Sequence, residues 1–156
     1  MLIHMHQPGL GTLLRAVIAS LDGDVQALYD ELELPLRPRF YPILRSLAAQ
    51  QRMTVGELAE AAGVSQPAMT QTVAEMTKLG LVESAAGKDA RQRLISLSAL
   101  GRQIVEQVRP LWDAIADAAA RLDRELECPL SGSLRSTLEL LERESFGQRI
   151  RRNLDA

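Results

Sequence analysis

The sequence predicts a mainly α-helical chain with one small β-hairpin, and three observations support this fold class. Apolar residues recur at steps of three and four between Leu10 and Leu32, which is the period of an amphipathic helix. A second stripe of this kind runs from Ile104 to Leu126. Between the two stripes the helical period is lost, and a pair of short strands is predicted around a polar tip. We therefore expect helices at both ends and a hairpin between them.

The N-terminal third is predicted to hold two helices. Pro35 and Pro38 follow the first apolar stripe, and proline ends a helix because it lacks an amide hydrogen. A second, shorter helix follows, and its first turn tolerates Pro42. Its apolar positions are Phe40, Ile43, Leu44 and Leu47.

Two further short helices are predicted by their end signals. Thr54 and Glu57 have the spacing of a capping box, which begins a helix from Val55 to about Ala62. Gly63 is suited to end that helix, because glycine adopts the left-handed conformation at little cost. Ser65 then caps a fourth helix, which runs to about Leu79 and stops at Gly80.

The hairpin is predicted from a change of pattern after Gly80. Leu81–Glu83 and Arg91–Ser98 are expected to be its strands, and residues 85–90 are small and polar as a tip requires. On the second strand, Arg93, Ile95 and Leu97 share one face. Two strands alone are marginal in water, so they must pack against the helices.

The C-terminal third is predicted to be helical. Gly101 is expected to precede the longest helix, Pro110 to kink it near Arg109, and Pro129 to end it. We expect Ser131 to cap a last helix that carries Leu134, Leu138 and Leu141. The tail, residues 148–156, is expected to be frayed.

The amino-acid composition limits the classes of protein to which this chain can belong. Hydrophobic residues make up 46% of the 156 residues, which is enough for a core, and the only cysteine, Cys128, excludes an intramolecular disulfide. We expect a cytoplasmic protein, with no membrane partner and no signal peptide. The net charge of −2 argues mildly against a nucleic-acid binder, since many such proteins are basic overall, so the local placement of a few cations must decide any binding of DNA.

The order of elements from Thr54 to Ser98 is helix, tight turn, helix, strand, tip, strand, which is a winged helix-turn-helix. In this arrangement the second helix presents its N-terminal half to the major groove of DNA. Its apolar residues Met69, Val73 and Met76 mark the buried side, and its polar residues project elsewhere. Glutamine pairs with adenine through two hydrogen bonds, and serine or threonine contacts bases or phosphates. A merely solvated helix face would have the same composition.

The predicted tip carries the second set of candidate DNA contacts, Lys88, Asp89 and Arg91. An arginine on a hairpin tip can enter a minor groove, where narrow A·T tracts concentrate negative potential. Asp89 can orient the guanidinium by a charge-assisted hydrogen bond. The alternative is a surface ion pair of little consequence.

The sequence resembles the MarR/SlyA family of bacterial regulators. The resemblance rests on residues 58–67, LAEAAGVSQP, and 78–83, KLGLVE, followed by Asp89-Ala90-Arg91 and by residues 97–101, LSALG. It implies a homodimer whose N- and C-terminal helices interlock, a recognition helix in the major groove, and a wing arginine, Arg91, in the minor groove. By position, it implies that the base-reading residues are Ser65, Gln66, Pro67, Thr70 and Gln71.

The whole chain is expected to be one protomer. The winged helix-turn-helix would occupy residues 38–100, and dimerisation helices would occupy residues 8–34 and 102–146. Two-fold symmetry would then match a pseudo-palindromic operator. The resemblance favours repression of transcription.

Control by a small molecule is a further expectation. The family commonly binds small aromatic or anionic compounds near the junction of the dimer helices with the winged part. Here Phe40, Tyr41 and Arg45 would offer an apolar wall, a hydroxyl and a cation to an amphipathic organic acid or phenol. The alternative is that all three are core or surface residues with no ligand.

Two other classes of function are less well supported by the sequence. An enzyme is not expected, because the predicted folded part has no histidine, no phosphate-binding loop and no triad, and neither a cofactor nor a metal site is predicted. The stronger rival is an interaction protein or anti-activator that uses the winged helix to bind another protein and never contacts DNA. Lys88 and Arg91 favour DNA, whereas the overall acidity favours the rival.

Overall fold

The computed structural model describes residues 8–86 and 93–155. Within these ranges the chain is mainly helical, with one small antiparallel sheet, as expected. The helices are α1 (Leu10–Glu31), α2 (Tyr41–Gln50), α3 (Val55–Ala62), α4 (Gln66–Lys78), α5 (Ala99–Glu125), α6 (Leu130–Arg143) and α7 (Phe146–Leu154), and a 3₁₀ turn, Pro38–Phe40, precedes α2. The strands are β1 (Arg52–Thr54), β2 (Val82–Ala86) and β3 (Arg93–Leu97).

The chain divides after Arg109 into two compact units. The first contains α1 to β3 and the N-terminal part of α5, and the second contains the remainder of α5 with α6 and α7. α5 continues as a helix through Pro110. No helix in either described range is long and apolar enough to cross a membrane.

The sheet has three strands, not the two that were expected. β3 lies in the centre, with β1 and β2 antiparallel on either side of it. Met53 of β1 lies opposite Ile95 of β3, and both side chains are buried. β1 was missed because three residues are too few to display an alternating pattern, and its partner lies far along the chain. β2 also extends to Ala86, beyond the predicted end at Glu83.

The core of the first unit lies where the 3₁₀ turn and α2, α3 and α4 meet the sheet. Its fully buried large side chains are Tyr29, Phe40, Ile43, Leu44, Leu47, Leu58, Met69, Met76, Leu81, Ile95 and Val108. Most of the apolar positions predicted on α2, α4 and β3 are among the buried residues. The core therefore fixes α4 against α3, β2 and the 3₁₀ turn.

The long N-terminal helix contributes little to that core. Tyr29 is its single buried residue. Most of the predicted stripe is exposed on the described chain, namely Leu10, Val17, Leu21, Leu28 and Leu32. This long apolar stripe is therefore exposed to solvent in a single copy of the chain.

The second unit corrects two predictions. α6 begins at Leu130, and Ser131 does not cap it, because the Ser131 amide and hydroxyl both donate to the carboxylate of Asp123. α6 is not the last helix: α7 follows where a frayed tail was expected. A capping box starts α7, since Ser145 accepts from the Gln148 amide and the Gln148 side chain accepts from the Ser145 amide.

Gly101 lies inside α5 and does not precede it. The helix begins at Ala99, where the Ser98 hydroxyl accepts from the Gly101 amide at 2.9 Å. A Cβ atom at position 101 would lie 2.0 Å from the carbonyl oxygen of Leu81. Glycine is therefore required here by the close approach of α5 to the start of β2.

Candidate nucleic-acid interface

The turn between α3 and α4 is built from three local signals. Thr54 and Glu57 form the predicted capping box at the start of α3, with the Thr54 hydroxyl accepting from the Glu57 amide at 3.2 Å. Gly63 ends α3 in the left-handed conformation, with φ of 65°. Ser65 caps α4 by accepting from the Ala68 amide. These local contacts fix the angle at which α4 leaves the turn.

The carboxylate of Glu57 adds an electrostatic contribution to the capping box of α3. It accepts from the Thr54 amide at 2.7 Å and from the Thr54 hydroxyl at 2.8 Å. The hydrogen bond from the Thr54 amide, followed by that from its hydroxyl, lowers the pKa of Glu57 from its ordinary value. Both hydrogen bonds stabilise the ionised form, so α3 is capped most strongly above that ordinary value.

α4 has two distinct faces. Met69, Val73 and Met76 are buried, as predicted, and hold the helix on the core. The candidate base-reading residues lie at the start of the helix and away from the core, and all are exposed: Ser65, Gln66, Pro67, Thr70 and Gln71. The structure therefore brings these five residues together on one accessible surface, which we call the reading face.

The reading-face residues differ in what they can offer a base. The Thr70 hydroxyl donates to the Gln66 carbonyl oxygen at 2.9 Å, so its hydrogen is already engaged. It retains acceptor capacity. The Gln66 and Gln71 amides have both donor and acceptor groups, which suits the two-point recognition of adenine.

The predicted wing contacts cannot be placed in the same way. Lys88, Asp89 and Arg91 lie outside the described residues, between the end of β2 at Ala86 and the start of β3 at Arg93. The two strands on either side pair in register, with Ala86 opposite Arg93. The role of these three residues stays a prediction from the sequence.

An ion-pair cluster beside α4 was not anticipated from the sequence. Arg37 donates through Nε to Oε1 of Glu75 at 3.0 Å, and Arg39 donates through a terminal nitrogen to Oε2 of the same carboxylate. The partners are 38 and 36 positions apart. No local pattern could have paired them, because only the packing of the 3₁₀ turn against α4 brings them together.

The expected effector residues are placed as follows. Phe40 is fully buried and has no exposed surface to offer a ligand. The Tyr41 hydroxyl accepts from Arg45 at 3.0 Å, and the Arg45 guanidinium also lies over the Tyr41 ring. Phe40 is therefore a core residue, as the alternative to a ligand contact predicted. Tyr41 and Arg45 form a surface pair.

A cleft elsewhere in the first unit has the mixed lining that was expected of an effector site. It has a volume of about 530 Å³ and lies between the end of α2, the sheet and the start of α5. Leu47, Leu97 and Val105 are buried residues that line it, and Arg52 and Arg102 add cations. Neither Tyr41 nor Arg45 lines this cleft.

Comparison with known proteins shows which protein family this chain resembles. A sequence model of the MarR family matches residues 36–92, which span the 3₁₀ turn, α2 to α4 and β2. No curated protein matches the chain by sequence. Solved structures do match, among them those of three transcription regulators.

The first is a MarR family transcriptional regulator from Silicibacter pomeroyi DSS-3, which is 27% identical, with a TM-score of 0.62 over 85% of this chain and 94% of that chain. The second is the M. tuberculosis transcriptional regulator MosR in complex with DNA, at 23% identity and a TM-score of 0.69, covering 87% of this chain and 96% of that one. The third is a mutant MarR from E. coli complexed with operator DNA, at 22% identity and a TM-score of 0.66, covering 85% and 92%.

The second and third structures have low sequence identity, so they inform only on the fold. The family model and the Silicibacter regulator are also similar to this chain in sequence. The matched residues include the capped α3–α4 turn and the whole of the reading face. The chain is therefore similar to MarR family regulators, by sequence over residues 36–92 and by fold over 85% of its length.

Proposed function

We propose that this protein is a sequence-specific, double-stranded-DNA-binding transcriptional repressor that acts as a homodimer. The observation that carries the proposal is the reading face, a cluster of exposed polar side chains at the capped start of α4. Such a helix fits a major groove about 12 Å wide, and its amides and hydroxyls can pair with base edges. The complexes of MosR and of E. coli MarR with DNA support the same use of this fold.

Homodimerisation is the second part of the proposal. α1 leaves apolar side chains exposed, with Ile18 at 57% and Leu10 at 67%. In the second unit, Leu138 of α6 is 62% exposed and Phe146 of α7 is 67% exposed. Monomeric proteins rarely leave large contiguous apolar patches in water. A second copy of the chain would cover these stripes and supply the two-fold symmetry that a pseudo-palindromic operator requires.

Control by a small amphipathic organic acid is the third part. The cleft beside α2 and α5 combines buried apolar side chains with the guanidinium groups of Arg52 and Arg102 and the carboxylates of Glu83 and Glu106. The apolar side chains and the guanidinium groups are the features that would recognise such an acid. The surface pair Tyr41–Arg45 is the competing site. A panel of phenolic and carboxylic compounds, tested for melting-temperature shifts and for loss of DNA binding, separates the two. Arg52→Ala should blunt the response if the cleft is used, and Arg45→Ala if the surface pair is used.

Non-enzymatic function is part of the same proposal and is supported by the matched structures, which are those of transcription regulators. The rival proposal, a winged helix that binds only another protein, has only the net charge of −2 in its favour. A DNA-binding measurement therefore decides between the two.

The test is fluorescence anisotropy at fixed salt with a duplex from the region upstream of the protein's own gene and a random duplex of equal length. We expect tighter binding to the upstream duplex, since specific sites are commonly bound about 10³-fold or more tighter than random DNA. Equal affinity for both, repeated with duplexes selected from the genome, would contradict sequence-specific binding. Absence of binding to any duplex at low salt would favour the protein-binding alternative.

A further inference from the structure

The cluster of Arg37, Arg39 and Glu75 lies beside the reading face. Glu75 is on α4, four residues after Gln71, and residues at that spacing are neighbours on one side of a helix. Val73 and Met76 point into the core, so Glu75 lies on the flank between the buried face and the reading face. Its carboxylate holds one guanidinium on each oxygen.

The cluster leaves unused hydrogen-bond donors. The hydrogen bond from Arg37 to Glu75 uses Nε, and that from Arg39 uses one terminal nitrogen, whereas each guanidinium has five N–H groups. The arginine side chains are 51% and 56% exposed. Several donors of each arginine therefore face solvent.

The charges of the cluster leave an excess of one positive charge. Hydrogen bonding by Arg39, aided by Arg37 and opposed by burial, lowers the pKa of Glu75, so this carboxyl stays ionised at neutral pH. Two cations then surround one anion. Asp22 of α1 and the two arginines line a second cleft, separate from the one beside α2 and α5. Asp22 is not ion-paired to either arginine.

The position of the cluster matches the expected path of a phosphate backbone. A helix with its side chains is about 10–12 Å wide, so it fills a major groove about 12 Å wide. Groups attached to the flank of such a helix meet the phosphates that border the groove. A lone carboxylate at this place would repel the phosphates. Two guanidinium groups beside it make the net charge positive, so the cluster attracts them.

We propose that Arg37 and Arg39 form a phosphate anchor on the flank of the recognition helix, and that Glu75 is a positioning residue that holds both guanidinium groups in place. The anchor rests on the proposed function and adds to it a sequence-independent contact that no part of the reading face supplies. Arginine suits this role because its planar fork can bind a carboxylate on one side and a phosphate on another.

The test measures the dependence of DNA affinity on salt for four variants, with a random duplex and the upstream duplex as probes. The variants are Arg37→Ala, Arg39→Ala, Glu75→Gln and the control Arg109→Ala. Arg109 is 57% exposed and pairs with Glu106 at 2.6 Å, so the control breaks a similar ion pair on α5. Circular dichroism and melting temperatures check that each variant is folded.

Each arginine variant should lose one phosphate contact per protomer. The slope of log K against log salt should then fall by about 1.8 per dimer, since each contact contributes about 0.9. The loss should be equal on both duplexes, because phosphates carry no sequence. Glu75→Gln should weaken binding although it removes a negative charge near DNA, and Arg109→Ala should leave the slope unchanged.

The sign of the Glu75→Gln effect is decisive. Tighter or unchanged binding by this variant would overturn the positioning role, because the carboxylate would then only repel DNA or be neutral. Unchanged slopes in both arginine variants, with normal binding by the unmodified protein, would overturn the anchor and leave the proposed function intact. If the unmodified protein binds neither duplex even at low salt, the proposed function fails and the anchor fails with it.

Discussion

A Cβ atom added at Gly101 would lie 2.0 Å from the carbonyl oxygen of Leu81. The same carbonyl accepts a hydrogen bond from the Ser98 amide at 3.1 Å, so it cannot move away without loss. The start of α5 is thereby pressed against the residue that precedes β2. This contact joins the long helix to the strand that follows α4.

Gly101→Ala should therefore destabilise the protein, by about 1–3 kcal/mol for an overpacked site. Chemical denaturation followed by circular dichroism measures the loss. Gly132→Ala is the matched control, because Gly132 is also the third residue of its helix and a Cβ there would meet nothing within 4 Å. Its stability should be unchanged or raised by up to about 1 kcal/mol. Equal stability of Gly101→Ala and the unmodified protein would contradict the close packing.

The capping box of α3 predicts a dependence of stability on acid. Because folding lowers the pKa of Glu57, its stabilising effect is present above the ordinary glutamate pKa of about 4.3 and is lost as the pH falls through the lower folded-state pKa. Glu57→Gln should weaken this acid dependence and lower stability at neutral pH, because the amide oxygen can still accept but lacks the negative charge; the difference from the unmodified protein should shrink as the pH falls. Urea unfolding between pH 7 and pH 3 measures both effects.

Glu60→Gln is the control for that experiment, because it removes a carboxylate from the same helix without touching the capping box. If Glu57→Gln and Glu60→Gln have the same acid dependence, the capping box does not account for it.

The hydrogen bonds of α4 rank the reading-face residues. Gln66→Ala and Gln71→Ala should each reduce discrimination between bases by about 1–3 kcal/mol. Thr70→Ala should cost less, because the Thr70 hydroxyl hydrogen is engaged with the Gln66 carbonyl. The measurement compares affinities for the operator and for duplexes with single base changes.

Thr72→Ala is the control for the reading face. The Thr72 hydroxyl makes the same kind of bond, to the Ala68 carbonyl, but Thr72 is half-buried. Equal losses on operator and random DNA in the glutamine variants would indicate backbone contact in place of base reading.

The exposed stripe of α6 predicts loss of the dimer in Leu138→Glu. Leu138 is 62% exposed, and a charge there would be buried without a partner if two copies met on this face. Light scattering should give a smaller mass, and the melting temperature should fall. Ser136→Glu, on the other side of α6, is the control. A dimer that persists in Leu138→Glu at micromolar concentration would exclude this face from the interface.

The sequence predicts that Arg91→Ala weakens DNA binding strongly without unfolding the protein. Arg91 lies outside the described residues, so this expectation rests on its place in the hairpin and on an arginine's affinity for a narrow minor groove. Asp89→Ala should have a smaller effect in the same direction, by releasing the guanidinium. Unchanged operator affinity of Arg91→Ala at fixed salt would remove the wing from the mechanism.

The helix-turn-helix and its exposed residues could be predicted from the sequence alone. Thr54, Gly63 and Ser65 act within three or four positions of themselves, so their signals can be read without knowledge of the fold. The bounds of α3 and α4 and the buried side of α4 agree with those signals.

The features that depend on distant partners became visible only in the folded chain. β1 exists because Arg52–Thr54 pairs with β3, and Gly101 is constrained by the backbone of Leu81. Glu75 holds Arg37 and Arg39 because the 3₁₀ turn packs against α4. A hydrogen bond, an ion pair or a steric contact between residues far apart in the chain leaves no periodic trace in the sequence, since its partners meet only when the core has formed.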